Sequence, residues 1–368
     1  MNRYEEAFEK VKNKLRGSIA PAAEAGIIPY KSEKGKWIES PYDGNSWWTG
    51  GFWPGLMWLL YAQSGEEIFR AEARRVGKLL TNEFRVYEKL NHDVGFMYLL
   101  SCGADGKLTG DAQAKTDTLH AASLLMGRFN PVGYIRAWNH PTQMGFAIID
   151  CMMNLSLLFR ASRETGDPRF GKVARIHADT TLREFLREDG SVSHNIEFDP
   201  EPGKRVREHP GQGNALGSSW SRGQAWGLYG FTLAYLNTKE EKYLRAAERI
   251  AGYFTQHIRP DGLTDSDFCQ PAGEERIDNL AGAIGACGLM ELAKVTGNQD
   301  WQAAGERLVD GLLDSCCDWS ENRCGILTHC TASYHDDGAG RHTNITYGDY
   351  FLTEALSKLK GTDPMLWI

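Results

Sequence analysis

Five short phrases of one design divide the chain: SGEEIF from Ser64, TGDAQA from Thr109, TGDPRF from Thr165, NTKEEKY from Asn237 and TGNQDW from Thr296. Each joins a polar or Gly-containing turn to an acidic or amide-rich helix start. The chain therefore reads as an internal repeat, and a repeat limits topology before any local reading does. After four of the turns the apolar residues step by three and four: Phe69, Ala73, Val76; Phe170, Val173, Ala174; Tyr243, Ala246, Ala247, Ile250; Trp301, Ala304, Leu308. Charges fill the gaps, as in a half-exposed helix. The segments ahead of the turns, at 51–63, 94–101, 145–161, 223–236 and 279–293, are apolar or small nearly all round, and helices without a polar face are buried.

A further buried segment at 347–359 and an amphipathic N-terminal helix bring each set to six. Short turns make antiparallel neighbours. The set then closes as an inner ring of six helices inside an outer ring of six, an all-α (α/α)6 barrel expected to form a single domain over residues 1–368. Only SVSHNIEFD (191–199) reads as a small hairpin strand. The longer loops all precede inner helices and so open on one rim, carrying Trp47, Trp48, Trp53, Trp138, Trp220 and Trp226 with His, Asn, Gln and Arg between them. Aromatic faces stack on sugar rings, and the polar groups bind hydroxyls or a carboxylate. Since a lone Trp more often wedges a loop onto a helix end, half of the six are expected to meet a ligand.

Within the third buried segment, GFAIIDCMMNLSLLF (145–159), one carboxylate stands in an otherwise apolar helical run. Ionising Asp150 there costs on the order of several kcal/mol unless it is paired, so it is expected to keep a proton, which is what a general acid needs. The plainer alternative is a packing hydrogen bond. Asp93 in HDVGF starts the second inner helix and reads equally as a catalytic acid or an N-cap. Asp278 and Asp349 read as caps of the fifth and sixth.

A hydrophobic fraction of 42% with 11% aromatics suffices for a large core, and a net charge of −7 excludes nucleic acid as a partner. No basic amphipathic helix or long apolar run points to a membrane, and MNRYEEAFEKVKNKL lacks the character of a secretory leader, so a cytoplasmic protein is expected. Of eight cysteines, Cys102, Cys151 and Cys287 read as core residues, while Cys316, Cys317, Cys324 and Cys330 crowd near His329. Without C-x-x-C spacing, free thiols are expected there rather than a zinc site or a disulfide.

In order along nearly the whole chain, WWTGGFW, HDVGF, IIDCMMNL, SHNIEFDP, GQGN, SSWSRGQAWGLYGF and YGDYF resemble the unsaturated glucuronyl hydrolases of glycoside hydrolase family 88. The resemblance implies the (α/α)6 barrel, neither metal nor organic cofactor, and as substrate an oligosaccharide, down to a disaccharide, bearing a 4,5-unsaturated uronate at its non-reducing end. Carried over, the proton-donating acid falls on Asp150, the second essential aspartate on Asp93, and the sugar-binding positions on Trp48, Trp138, His194, Gln212, Arg222 and Trp226. The implied chemistry protonates C4 of a vinyl ether, adds water at C5 and lets the hemiketal open to expel the leaving sugar.

The chain departs from the family in three places. Gly211-Gln212-Gly213 stands where the family reads His-Gln-Gly, with His209 two residues earlier. Trp47 replaces an aspartate, and the fifth inner helix starts DNLAGA rather than with small hydroxyl residues. These bear on the sugar beyond the uronate. The Arg341–Asn344 loop reads as solvated polarity, with contact to a second sugar or a sulfate as the alternative. The related unsaturated rhamnogalacturonyl hydrolases fit HDVGF and SRGQAW less well. A sugar epimerase or isomerase on the same fold would need opposed bases on inner helices, whereas His92, His194, His209 and His329 fall in expected loops. A binding protein without activity would have no use for a buried acid.

Overall fold

The structure, a computed structural model, describes residues 2–368, Ala339 by its backbone alone. The N-terminal helix α1 (Arg3–Glu24) is followed by inner α2 (Phe52–Ser64) and outer α3 (Glu67–Asn82). The second inner helix is bent: α4 (Val94–Tyr98) continues through a π turn (Leu99–Gly103) into α5 (Ala104–Thr109), against outer α6 (Ala112–Met126). Inner α7 (Cys151–Thr165), α9 (Ser221–Thr238), α11 (Asn279–Thr296) and α13 (Thr346–Leu359) complete the inner ring, with outer α8 (Pro168–Glu184), α10 (Glu241–Gln256) and α12 (Gln299–Ser315). The ring closes on itself, as α2 packs on the π turn, α4 on α7, α7 on α9, α9 on α11, α11 on α13 and α13 on α2. This is the (α/α)6 barrel expected from the repeat.

The repeated phrases end the inner helices in one way. The residue after the helix takes the left-handed conformation at Gly65, Gly110, Gly166 and Gly297, where a Cβ would be strained, and Lys239 takes it in the fifth turn. Outer helices bury one stripe, for example Phe69, Ala73, Val76 and Leu80 of α3, while α2, α9 and α11 bury residues all round. No helix is long and apolar enough to cross a membrane among the described residues.

Strands are few. β1 (Lys31–Glu33) pairs with β2 (Lys36–Ile38), and β3 (Phe129–Asn130) with β4 (Tyr134–Ile135). The antiparallel order β5-β6-β7 joins Phe146–Ile148, Asn195–Phe198 and Arg205–His209. The expected strand at 191–199 is thus the centre of a three-stranded sheet, and His209 lies on a strand rather than a loop. The helical reading of 145–161 is corrected too: residues 146–148 are extended, and the helix starts only after Asp150. Continuous apolarity conceals the switch, because a short buried strand and a buried helix share it.

At the far end of the barrel the C-terminal Trp367, 1% exposed, stacks on Phe351 at 6.0 Å and lies against Phe96 at 5.9 Å. Its indole donates to Glu354. With that end closed by the tail, the rim where the inner helices begin is the open one.

Candidate active site

Asp93 occupies the N-cap position of α4 and Asp150 that of α7, yet neither side chain caps its helix. Both are buried, each 7% exposed. The loop before Asp93 is held by Asn91, whose side chain accepts from the Asp93 N–H at 2.7 Å, and by the His92 N–H donating to Ala137. Arg128, buried beneath it, donates to the carbonyls of Leu90, Arg136 and Ala137 and to Asn139, tying this loop to the one bearing Trp138. Where α4 crosses α7, a Cβ on Gly95 would lie 2.5 Å from Asn154 Oδ1, so only glycine permits the approach.

The electrostatics follow from burial. Desolvation, then the charge of Asp150, pushes the Asp93 carboxyl well above the usual carboxylate range, against Arg128 and hydrogen bonds from Asn154 and Asn91. His92 Nε2 lies 3.5 Å from Asp93, but burial lowers that imidazole to about 3, so it stays neutral. Within ion-pair range, the described neighbours of the two acids are His92 and His194.

His194 supplies a directed donor. Its Nδ1 accepts from the Gln212 N–H at 3.0 Å, so the neutral ring carries its proton on Nε2, which faces Asp150 Oδ1 at 3.6 Å. Neither of those two atoms has a hydrogen-bond partner. The ring lies against Trp220 at 4.3 Å. The departure at Gly211 has a steric basis here, since with φ of +57° a Cβ would come within 2.0 Å of His194 Nδ1. His209, two residues earlier, is turned instead to Glu197 at 2.7 Å and Phe146. The side-chain N–H of Gln212 donates to Ala332, so this residue braces the 332–334 loop as well as His194.

Arg222 is 1% exposed and is paired with Asp278 at 2.6 Å. It also donates to the carbonyls of Thr331 and Ala332 and lies 4.4 Å over Trp220. Burial opposes its charge, but Asp278, Tyr347 and Asp150 outweigh that and hold its pKa above the ordinary value. Its Nε–H has no partner. Asp278 caps α11 through the Leu280 N–H as expected, and in addition carries Arg222. Asp349 is a correction: it lies inside the first turn of α13 and accepts from the Ile326 and Leu327 N–H groups and from Asn344.

The tryptophans divide. Trp47, Trp48 and Trp138 are partly exposed, Trp48 against Phe96 and Tyr347 and Trp138 against Phe146. Trp53, Trp220 and Trp226 are buried, and Trp53 is taken by Glu72 of the outer ring. Trp226 has no exposed surface and packs between Phe96 and Phe351, so it backs the site from the core rather than offering an open platform. In the Arg341–Asn344 loop, His342, Thr343 and Asn344 line a separate cavity of about 590 Å³ that contains neither acid. All eight cysteines are free thiols, and no cluster of three or more metal-ligating side chains occurs among the described residues.

Asn154 and Arg128 escaped the sequence reading. A buried amide four residues after a buried acid, in an apolar helix, was the available sign for the first; nothing in the sequence marks the second.

No protein-family model matches the chain. The unsaturated glucuronyl hydrolase of Bacillus sp. (strain GL1) is 37% identical over 329 residues, covering 86% of this chain and 87% of the relative. The crystal structure of unsaturated glucuronyl hydrolase from Bacillus sp. GL1, described as responsible for the degradation of glycosaminoglycan, superposes with a TM-score of 0.92 at 32% identity, over 99% of this chain and 98% of that one. The unsaturated chondroitin disaccharide hydrolase of Streptococcus pneumoniae (strain ATCC BAA-255 / R6) is 32% identical over 338 residues, covering 89% of this chain and 85% of the relative.

Proposed function

This chain belongs to the unsaturated glucuronyl hydrolases, and on that footing we propose that it removes the 4,5-unsaturated uronate from the non-reducing end of lyase-generated oligosaccharides, glycosaminoglycan disaccharides among them. The observation that carries the reading is the buried pair Asp93 and Asp150, which neither cap their helices nor meet a cation. Such acids are retained for chemistry more often than for stability.

In this reading Asp150 delivers a proton to C4. The C4=C5 electron pair forms the new C4–H bond and leaves an oxocarbenium-like cation at C5, stabilised by the ring oxygen and by the carboxyl oxygens of Asp93. Water adds at C5 and gives up its proton to Asp150, which restores the acid. The hemiketal then opens and releases the second sugar. His194 Nε2–H steadies the Asp150 carboxylate between the two steps. Arg222 directs its free Nε–H to the uronate carboxylate, while Trp48 and Trp138 give faces to the sugars. Gln212 acts by holding His194, and Trp226 by backing Phe96.

The same reading makes residues 1–368 one catalytic domain, since the site draws on Trp48, Asp93, Asp150, Arg222 and Asp278. A cytoplasmic location accords with eight free thiols. The test is incubation with an unsaturated chondroitin disaccharide and its saturated counterpart, following the ultraviolet absorbance of the conjugated C4=C5 carboxylate. Bleaching of the first, with one deuterium at C4 of the product in D₂O, is expected. Persistent absorbance, or cleavage without label at C4, would sink the reading.

A further inference from the structure

Asn154, wholly buried on α7, bridges the helix that follows Asp93 and the one that follows Asp150. Its Oδ1 accepts from the Phe96 N–H at 2.6 Å. Its Nδ2 donates to the Asp150 carbonyl at 3.2 Å. These two partners leave one orientation: a flipped amide would set its oxygen against a carbonyl and its N–H against an N–H. The α4–α7 crossing at Gly95 presses the backbone of α4 onto this residue.

From this geometry we infer that Asn154 is a positioning residue: by tying the first turn of α4 to the start of α7, its amide fixes the spacing of Asp93, which precedes α4, and Asp150, which precedes α7. Asp93 is faced by Asp150, Arg128, Cys151, neutral His92 and Asn91, and Asp150 by His194 and Arg222. The inference rests on Asp150 and Asp93 being the reacting acids.

Two variants test it. Asn154→Leu removes the amide, and Asn154→Asp keeps its shape but not its donor. Each, once shown folded by circular dichroism, should lose about 10²-fold in kcat, the usual consequence of misplacing a reacting group by roughly 1 Å, with KM changed little and the kcat–pH profile displaced. A folded variant with wild-type kcat and profile overturns the inference. Amide exchange of the wild-type protein gives a reading that needs no Asn154 variant: slow exchange of the Phe96 N–H, which donates to Asn154 Oδ1, supports the inference, and fast exchange there overturns it. Asp93→Asn and Asp150→Asn separate the failures. If Asp150→Asn turns over normally, the catalytic reading falls; if it is inactive while the Asn154 variants are normal, only the present inference does.

Discussion

The inner ring buries acids at both of its ends and treats them differently. At the closed end Glu291, Glu354 and Asp363 surround Lys358, whose side chain has no exposure, at 3.0, 3.5 and 2.6 Å. Tyr229 and the Trp367 indole complete the shell by donating to Glu354. At the open end Asp93 and Asp150 have a neutral histidine each, an amide between them and an unpartnered Oδ1. A satisfied cluster holds a chain in place, whereas an unsatisfied one keeps polar atoms free for chemistry.

The largest effect should come from breaking the open end. Asp150→Asn should fold as well as the wild type, or better, because a buried unpaired acid is removed, yet lose on the order of 10²-fold or more in turnover. Asp93→Asn should behave alike, and since neither carboxylate caps, neither variant should shorten a helix by circular dichroism. The closed end should answer in the opposite currency. Lys358→Met strands three buried carboxylates and should cost about 3–5 kcal/mol in urea unfolding, with the turnover of the folded fraction unchanged. Loss of activity without loss of stability there would abolish the distinction between the two ends.

A third acid lies between these cases. Asp349 is fully buried at the open end, but backbone N–H groups and Asn344 occupy its oxygens. Burial lifts its pKa from 3.8 to about 7. Between those values the folded protein keeps a proton that the unfolded chain has released, so this group's contribution is present at low pH and declines as pH rises. Asp349→Asn removes that decline. Its stability relative to the wild type should therefore climb by up to about 1.4 kcal/mol per pH unit from roughly pH 4 to 7 and level off above. A flat difference across that range would show that Asp349 ionises in the fold as freely as in the unfolded chain.

The ring of helices was legible because its signal is periodic: six buried and six striped segments, with the same turn between them, admit few closures. What escaped depends on contacts between distant residues. Arg222 and Asp278 lie 56 positions apart, and each alone read as something simpler, a sugar ligand and a cap. Asp150 was found for its burial but placed in mid-helix, because Ile148 and Ile149 are as apolar in a strand as in a helix. Asn154 gave only one sign, its place four residues after Asp150, since a single amide in an apolar helix has no periodicity to break. The seal formed by Trp367 was not read at all, as a terminal Trp carries no sign of where it docks.

The smallest effect separates the two kinds of tryptophan. Trp138 is partly exposed and rests on Phe146, whereas Trp226, one turn into α9, is enclosed by Phe96 and Phe351 with no exposed surface. A ring that stacks on substrate contributes about 1 kcal/mol through its face, so Trp138→Ala should raise KM about 5-fold and leave kcat and the unfolding midpoint nearly unchanged. Trp226→Phe keeps an aromatic ring but leaves a void among close-packed neighbours, so its cost should appear as a lower unfolding midpoint with KM unaltered. Steady-state kinetics on an unsaturated disaccharide and thermal melts of both variants check this together. If Trp226→Phe raises KM while Trp138→Ala does not, the sugar lies deeper than the rim, against the buried ring, and the barrel must open around Phe96 to admit it.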